Sequence, residues 1–304
     1  MSLEVELKLT LTEPLTADLS SQIQQRLQAL STSCQAMPES PLLNAYFETA
    51  DQWFRQHDCG LRTRLKRGRY EQTIKLAGQQ HGAAHIRPEY NLPCDSVEPK
   101  LAAFPGEIWP IGTDVLQLQQ QLQELFRTDF VRQGWLLTLV DGSVVEAVLD
   151  QGQVQAGERA EPILELELEL VEGDAAVLFE LAQQLLQQFP LQLGFQSKAE
   201  RGYRLAQQQP LQLLQVAPDA ALSPLLRAVQ QNLWLLQQQM VAVDAATELL
   251  QQQQHQLQAT LQQAGAASQL WQQLPLLNSA SRRDCAAWLL QLSWWMYQQS
   301  RQGD

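Results

Sequence analysis

Charged side chains recur at a two-residue spacing in three places along the chain: Glu4, Glu6 and Lys8; Arg62, Arg64 and Lys66; and Glu165, Glu167 and Glu169. In a β-strand that spacing puts each row on one face, and Leu3, Val5, Leu7 and Leu9 take the opposite face of the first. One such row is the polar face of a half-exposed strand. Segregation by sign argues for more, because three carboxylates or three cations side by side repel one another on a free surface. A carboxylate row is an oxygen-rich site for hard divalent cations, of which magnesium shares its shell with phosphates. A row of arginine and lysine offers charge-assisted hydrogen bonds to phosphate oxygens. Together the rows describe a metal and polyphosphate site, provided the fold brings them face to face.

Alternation and strand-forming composition predict strands over Leu3–Leu11, Leu61–Lys66, Tyr70–Leu76, Ile86–Leu92, Phe126–Gln133, Trp135–Val140, Val144–Asp150, Gln153–Gln155 and Ile163–Val171. Asp141-Gly142 is a hairpin turn signal, and Pro88 between Arg87 and Glu89 marks an edge or bulge. Helical spacing predicts Ala17–Leu30, Val115–Leu125 and Asp174–Phe189, and then Leu222–Met240, Val243–Ala264, a less regular stretch around Leu270–Leu277, and Ser281–Gln299. The glutamine runs Gln237–Gln239 and Gln251–Gln254 also fit low-complexity sequence, but Leu and Trp recur through them at bundle spacing. The expected fold is α+β: a closed antiparallel β-barrel with surrounding helices, followed by a small C-terminal α-helical bundle. Closure with the charged faces inward puts both rows around one lumen. The expected boundaries are a barrel over residues 1–206, a linker over 207–218 carrying Pro210 and Pro218, and a bundle over 219–304.

Glu4-x-Glu6-x-Lys8 resembles the ExExK signature of the CYTH superfamily, the triphosphate tunnel metalloenzymes. Leu61-Arg62-Thr63-Arg64, Thr73-Ile74-Lys75, Ile86-Arg87-Pro88-Glu89, Arg132, Leu149-Asp150-x-Gly152, the Glu165 to Glu169 row and Ser197-Lys198-Ala-Glu-Arg201-Gly-Tyr203 resemble successive blocks of that family, over about residues 1–205. The resemblance implies metal-dependent hydrolysis of inorganic triphosphate inside a barrel tunnel, with Mg2+ or Mn2+, two per site. It implies metal ligation by Glu4, Glu6, Asp150, Glu165 and Glu167, with Glu169 nearer the strand end. It implies triphosphate binding by Lys8, Arg62, Arg64, Lys75, Arg87, Arg132 and Lys198, with Lys66 at the same parity and Arg201 at the tunnel mouth or bracing Glu200. Glu4, Glu6, Lys8, Lys75 and Glu167 are its catalytic set. A helical segment after the barrel is similar to the bacterial CYTH and CHAD fusions, here truncated or degenerate, since residues 211–304 hold His255 alone and four arginines.

The same scaffold admits a class IV adenylate cyclase or a nucleoside or thiamine triphosphatase, and a different class of reading is a non-catalytic polyphosphate-binding module. A net charge of −12, from 33 acidic and 21 basic residues, disfavours an open surface for nucleic acid or an anionic membrane. Four scattered cysteines without a CxxC pair indicate neither a disulfide framework nor a thiolate zinc site, which suits a cytoplasmic protein. The start of the chain lacks signal-peptide character and no apolar run reaches membrane-spanning length, so neither export nor insertion is expected. His81 and His85 fall in a glycine and alanine segment and read as a solvated loop in preference to a zinc pair. The partner expected is inorganic triphosphate, with no nucleic acid and no membrane; the oligomeric state stays open.

Overall fold

The computed structural model describes residues 2–277 and 281–302. Ten strands form one sheet: β1 (Ser2–Leu11), β2 (Ser33–Glu48), β3 (Gly60–Lys66), β4 (Arg69–Lys75), β5 (Gln79–His81), β6 (Ala84–Cys94), β7 (Gln123–Thr138), β8 (Val144–Ala156), β9 (Arg159–Glu172) and β10 (Leu191–Leu193). Eight of them close a barrel in the order β1-β9-β8-β7-β2-β3-β4-β6, and β6 pairs back onto β1 from Ser2↔Glu89 to Leu7↔Ala84. Every pairing is antiparallel. Closure removes the open edges of the sheet and commits one face of every strand to the interior.

The expected alternation holds along the barrel. Leu7 and Leu9 of β1, Ala147 and Leu149 of β8 and Leu166 and Leu168 of β9 point outward, and all are buried. Helices α1 (Ala17–Ala29) and α4 (Ala176–Gln188) cover them with Ile23, Leu27, Leu178, Leu181 and Leu185. A second outer patch, with Phe47, Leu61 and Ile74, is covered by Phe54 of α2 (Trp53–Gln56) and Leu118 of α3 (Val115–Gln121). Helix α5 (Lys198–Ala206) packs Tyr203 and Leu205 onto Tyr46, Phe126, Phe130, Val154 and Ile163, which fills one end of the interior.

Four further helices follow residues 207–221: α6 (Leu222–Gln237), α7 (Val243–Gln263), α8 (Ser268–Gln272) and α9 (Arg282–Gln302). Their apolar residues belong to the same hydrophobic cluster as the barrel's outer face. Gln251–Gln254 lie within α7, Gln237 ends α6 and Gln238 and Gln239 form the turn after it. Asn232 exchanges hydrogen bonds with the Leu214 backbone, Gln253 donates to the Leu214 carbonyl, and Gln231 donates to that of Gln212. These side chains hold the connecting segment, whose own backbone has no ladder to satisfy it. No described helix is long and apolar enough to cross a membrane, and all four cysteines are free.

Several elements differ from expectation. The 16-residue strand β2 was not expected, and neither were α5, β5 and β10. Strand β7 runs unbroken through Gly134, where a division was expected, and β8 runs unbroken through Gly152. Helix α3 ends at Gln121, because Gln123 already begins the ladder with Glu48. His81 ends β5 and His85 lies within β6, so neither is in a solvated loop.

Gly202 lets α5 approach the barrel closely: a Cβ there lies 2.1 Å from the Phe126 ring, itself stacked on Tyr46. Gly202→Ala is therefore expected to destabilise the protein by about 1–3 kcal/mol through overpacking. Gly106→Ala, where a Cβ meets no heavy atom within 4 Å, serves as the neutral control, and denaturant unfolding compares the two.

Candidate active site

Barrel closure sorts the inward charges by strand. The adjacent strands β1, β9 and β8 carry Glu4, Glu6, Glu165, Glu167, Glu169, Glu146 and Asp150, an acidic arc. The rest of the wall, from β7 through β3 and β4 to β6, carries Arg132, Arg62, Arg64, Lys75 and Arg87, a basic arc. Between them lies a cavity of about 610 Å³, the size of an ordinary small-molecule site. Lys8 stands on the acidic side, and Lys198, the first residue of α5, reaches the same wall from the filled end.

Where the arcs meet, the charges pair. Lys8 is registered opposite Glu167 and Arg132 opposite Asp150, and both are ion pairs; Glu4 is registered opposite Arg87 but pairs with Lys75. Lys8 Nζ lies 2.5 Å from Glu167 and 2.9 Å from Glu6. The Arg132 guanidinium grips both Asp150 oxygens at 2.7 Å and reaches Glu167 at 3.1 Å. Lys198 Nζ contacts Glu165, Asp150 at 2.7 Å and Glu167 at 3.1 Å. Lys75 donates to both Glu4 oxygens at 2.6 Å. Burial pushes the Glu6, Glu165 and Glu167 carboxyls up, and the outcome depends on how many cations oppose it. Around Glu167, Lys198, Lys8 and Arg132 win and hold it well below the usual carboxylate range. Lys8 likewise brings Glu6 down to about 2. At Glu165 burial outweighs Lys198, and its pKa is raised.

Other inward charges are left over. Among the described residues Arg62, Arg64 and Arg87 make no ion pair, and the buried Arg62 Nε has no hydrogen-bond partner. Arg64 is aimed by β2: its Nε donates to Asn44 Oδ1 at 2.8 Å, and Asn44 Nδ2 donates to Thr128 Oγ1 at 2.8 Å. Burial, followed by the neighbouring Arg62 and Arg132, lowers Arg64 to about 10, so it remains a cation at neutral pH. Opposite, Glu169 also lacks an ion pair among the described residues. Burial, then the charges of Glu4, Glu6 and Glu146, pushes it up to about 7.

A divalent cation fits this acidic arc. The donors are hard carboxylate oxygens, Glu6 and Glu169 are registered opposite each other, and the group around Glu169 is short of positive charge. Asp150, Glu165 and Glu167 also bring ligand oxygens within 4.8 Å of one another, but Lys8, Arg132 and Lys198 already compensate them.

Of the residues expected from the sequence, Glu4, Glu6, Lys8, Arg62, Arg64, Lys75, Arg87, Arg132, Glu167, Glu169 and Lys198 line the cavity. Asp150 and Glu165 stand behind that lining, buried against Arg132 and Lys198. Lys66 is exposed at the end of β3 and does not line it. Arg201 turns outward: it donates to the Pro162 carbonyl and lies 3.5 Å from Glu161, so it braces β9 and not Glu200. Asn44, Tyr46, Arg55, His85 and Tyr203 line the cavity without having been expected there. His85 is buried opposite Glu6, and burial, then Lys8, lowers it to about 3, so it is a neutral ring. Glu48 joins two of the elements around the cavity, accepting from the backbone N–H groups of Phe54 and Arg55 in α2 and from the Tyr203 hydroxyl of α5.

A family model described as the CYTH domain matches residues 2–203. An inorganic triphosphatase of Haemophilus influenzae is 34% identical over 171 residues, covering 55% of this chain and 46% of that relative, so the chain spans about half the length of this curated relative. A solved protein from Hippeastrum, described as an adenylyl cyclase candidate with a dominant triphosphatase activity, aligns at 14% identity and a TM-score of 0.45, over 69% of this chain and 97% of that one. An adenylate cyclase candidate from Bacillus halodurans aligns at 20% identity and a TM-score of 0.39, over 66% and 98%.

A divalent cation bound beside Glu169 would compete with its proton. The folded Glu169 pKa of about 7 lies above the ordinary 4.5, so its contribution to stability is present at low pH and is lost as pH rises through about 7. In metal-free protein the melting temperature is expected to fall over that window, and Glu169→Gln is expected to flatten the fall. Magnesium binding near pH 6 is expected to release about one proton, fewer at pH 8.5, read by calorimetry in buffers of different ionisation enthalpy.

Proposed function

The chain belongs to the CYTH family, and on that premise we propose that it hydrolyses inorganic triphosphate to pyrophosphate and phosphate inside the barrel, with Mg2+ or Mn2+ as cofactor. The observation that carries this reading is the set of charges without an ion pair across the cavity, Arg62, Arg64 and Arg87 on one wall and Glu169 on the other, next to Glu4 and Glu6, which Lys75 and Lys8 hold. A metal-bound polyphosphate is the small molecule that presents both complements. The name of the Haemophilus relative supports the inorganic substrate.

Glu4, Glu6 and Glu169 would hold the metal, and a second would draw on Glu167. The bound metal supplies charge neutralisation of the phosphate chain and an activated water. Phosphoryl transfer is otherwise positioning and charge stabilisation, and this falls to the chain's own residues. Arg62, Arg64 and Arg87 bind phosphate oxygens directly, since no carboxylate competes for them. Lys8, Arg132 and Lys198 can exchange a carboxylate for a phosphate oxygen, because each is held by two or more acceptors. Asp150 and Glu165 hold Arg132 and Lys198 at that wall and are positioning residues in this reading. The attacking water forms the new bond to the terminal phosphorus, the bridging oxygen leaves with pyrophosphate, and the water's proton goes to a carboxylate of the acidic arc. We propose further that the unit acts in the cytoplasm, and that the C-terminal helices are a reduced CHAD-like accessory.

A panel of triphosphate, longer polyphosphate, ATP and thiamine triphosphate, each with Mg2+ and Mn2+, tests the reading. Phosphate release is expected to be fastest from triphosphate. Predominant cyclic AMP formation from ATP, or triphosphate binding without phosphate release, would overturn it. Glu4→Gln is expected to lower kcat by roughly a hundredfold or more. Arg64→Ala is expected mainly to raise KM, by roughly tenfold, the worth of a charge-assisted hydrogen bond.

A further inference from the structure

Among the described residues none of α6 to α9 lines the cavity, yet these helices grip two of its parts. The first is the start of α5. Lys198 is the opening residue of that helix, and its reach to Asp150, Glu165 and Glu167 depends on where the helix begins. The start is fixed by a capping box: the Glu200 amide donates to Ser197 Oγ at 3.1 Å, and the Ser197 amide donates to Glu200 Oε2 at 2.7 Å. The other Glu200 oxygen is taken by Arg227 of α6, whose Nη1 lies 2.8 Å from Oε1. Burial works against this carboxylate, but Arg227 and the Ser197 amide hold it below the ordinary range. The Arg227 guanidinium also sits over the Phe195 ring, 5.9 Å from its centroid, and Phe195 in turn packs on Trp234 of α6.

The second part is the β5–β6 turn, which leads into the strand carrying Arg87. Gly82 there has φ +63°, and a Cβ would fall 2.0 Å from Ser293 Oγ of α9, so helix and turn meet at glycine distance. Gln80 of β5 lies 3.5 Å from Arg227. One arginine thus touches both parts. A nine-residue helix such as α5 is too short to hold its own start in water, so its position must come from these contacts.

We infer that the C-terminal bundle clamps the barrel's filled end, with Arg227 as a positioning residue that fixes Glu200 and, through the capping box, the placement of Lys198. The catalytic consequence rests on the proposed triphosphatase reading; the clamp itself does not. Because the pair is partly exposed, its loss is worth a few-fold change and not abolition.

The test compares full-length protein with Arg227→Met, which keeps the stem over Phe195, and Arg227→Lys, which keeps the charge. Hydrogen exchange without substrate is expected to quicken roughly two- to fivefold at the α5 amides in Arg227→Met, with the barrel strands unchanged and Arg227→Lys near wild type. KM for triphosphate is expected to rise by a similar factor with kcat held, and this rise should vanish in a Lys198→Ala background. Unchanged α5 exchange, or a KM effect that multiplies with that of Lys198→Ala, would overturn the inference. Wild-type protein that does not turn over triphosphate would sink the proposed function instead, and the exchange measurement would still decide the clamp.

Discussion

Charge buried in the wall of the barrel, beneath its cavity, must find compensation there, because water does not reach it and the cost of an unpaired ion in a low dielectric is several kcal/mol. Asp150, Glu165, Glu167, Lys8 and Lys198 are all nearly inaccessible, so they can be ionised only as a network. The strand order supplies that network: acidic β8, β9 and β1 are consecutive, β1 itself brings Lys8 opposite Glu167, and the flanking strand β7 brings Arg132 opposite Asp150. Register is as important as sequence here. A slip of one residue would turn each charged row into the leucine layer outside.

The outer construction follows from that inner requirement. Every inward charge leaves an outward apolar neighbour to be covered, and no single helix is wide enough for a barrel of this circumference. Helices α1 and α4 take one part of the surface, α2 and α3 another, and α6 to α9 extend the first cluster. The segment joining α5 to α6 has little regular structure, and Asn232, Gln231 and Gln253 hold its backbone. Glutamine-rich composition therefore coexists with order, because amides spaced along helices satisfy an irregular segment lying across them.

The sequence made the charged strands legible because alternation and sign reinforce each other in β1, β3 and β9. Strand β2 gave neither signal. Pro38 and Pro41 interrupt it, and residues 44–49 are buried without alternation, since one side faces the cavity and the other lies under α2. Its inward residues Asn44 and Tyr46 are uncharged, so the support of Arg64 was invisible although Arg64 itself was not. His85 was missed because the glycine and alanines around it read as a loop, whereas Gly82 and Ala83 form a tight turn under α9. Arg201 was overread: Lys198 and Arg201 share one face of a helix, but the docking of α5 sets Lys198 against the buried carboxylates and Arg201, nearly a turn further on, against Glu161. Spacing along a strand fixes a face, while spacing along a short helix fixes a direction only once its docking is known.

The net charge of −12 and the proposed polyphosphate site are compatible because the two charges act over different distances. On the outside, acidic excess is screened within about 8–10 Å of salt solution. Inside, the interaction is set by contacts, and those contacts are arranged in exchangeable form. Lys8, Arg132 and Lys198 each bridge more than one carboxylate, so replacing one carboxylate with a phosphate oxygen does not strand the cation. A carboxylate released in that exchange is left beside a substrate whose own charge calls for a divalent metal. Under the proposed function anion and metal would favour each other's binding through the same side chains, and an anion arriving without metal would meet an acidic arc that only part of the cation set can offset.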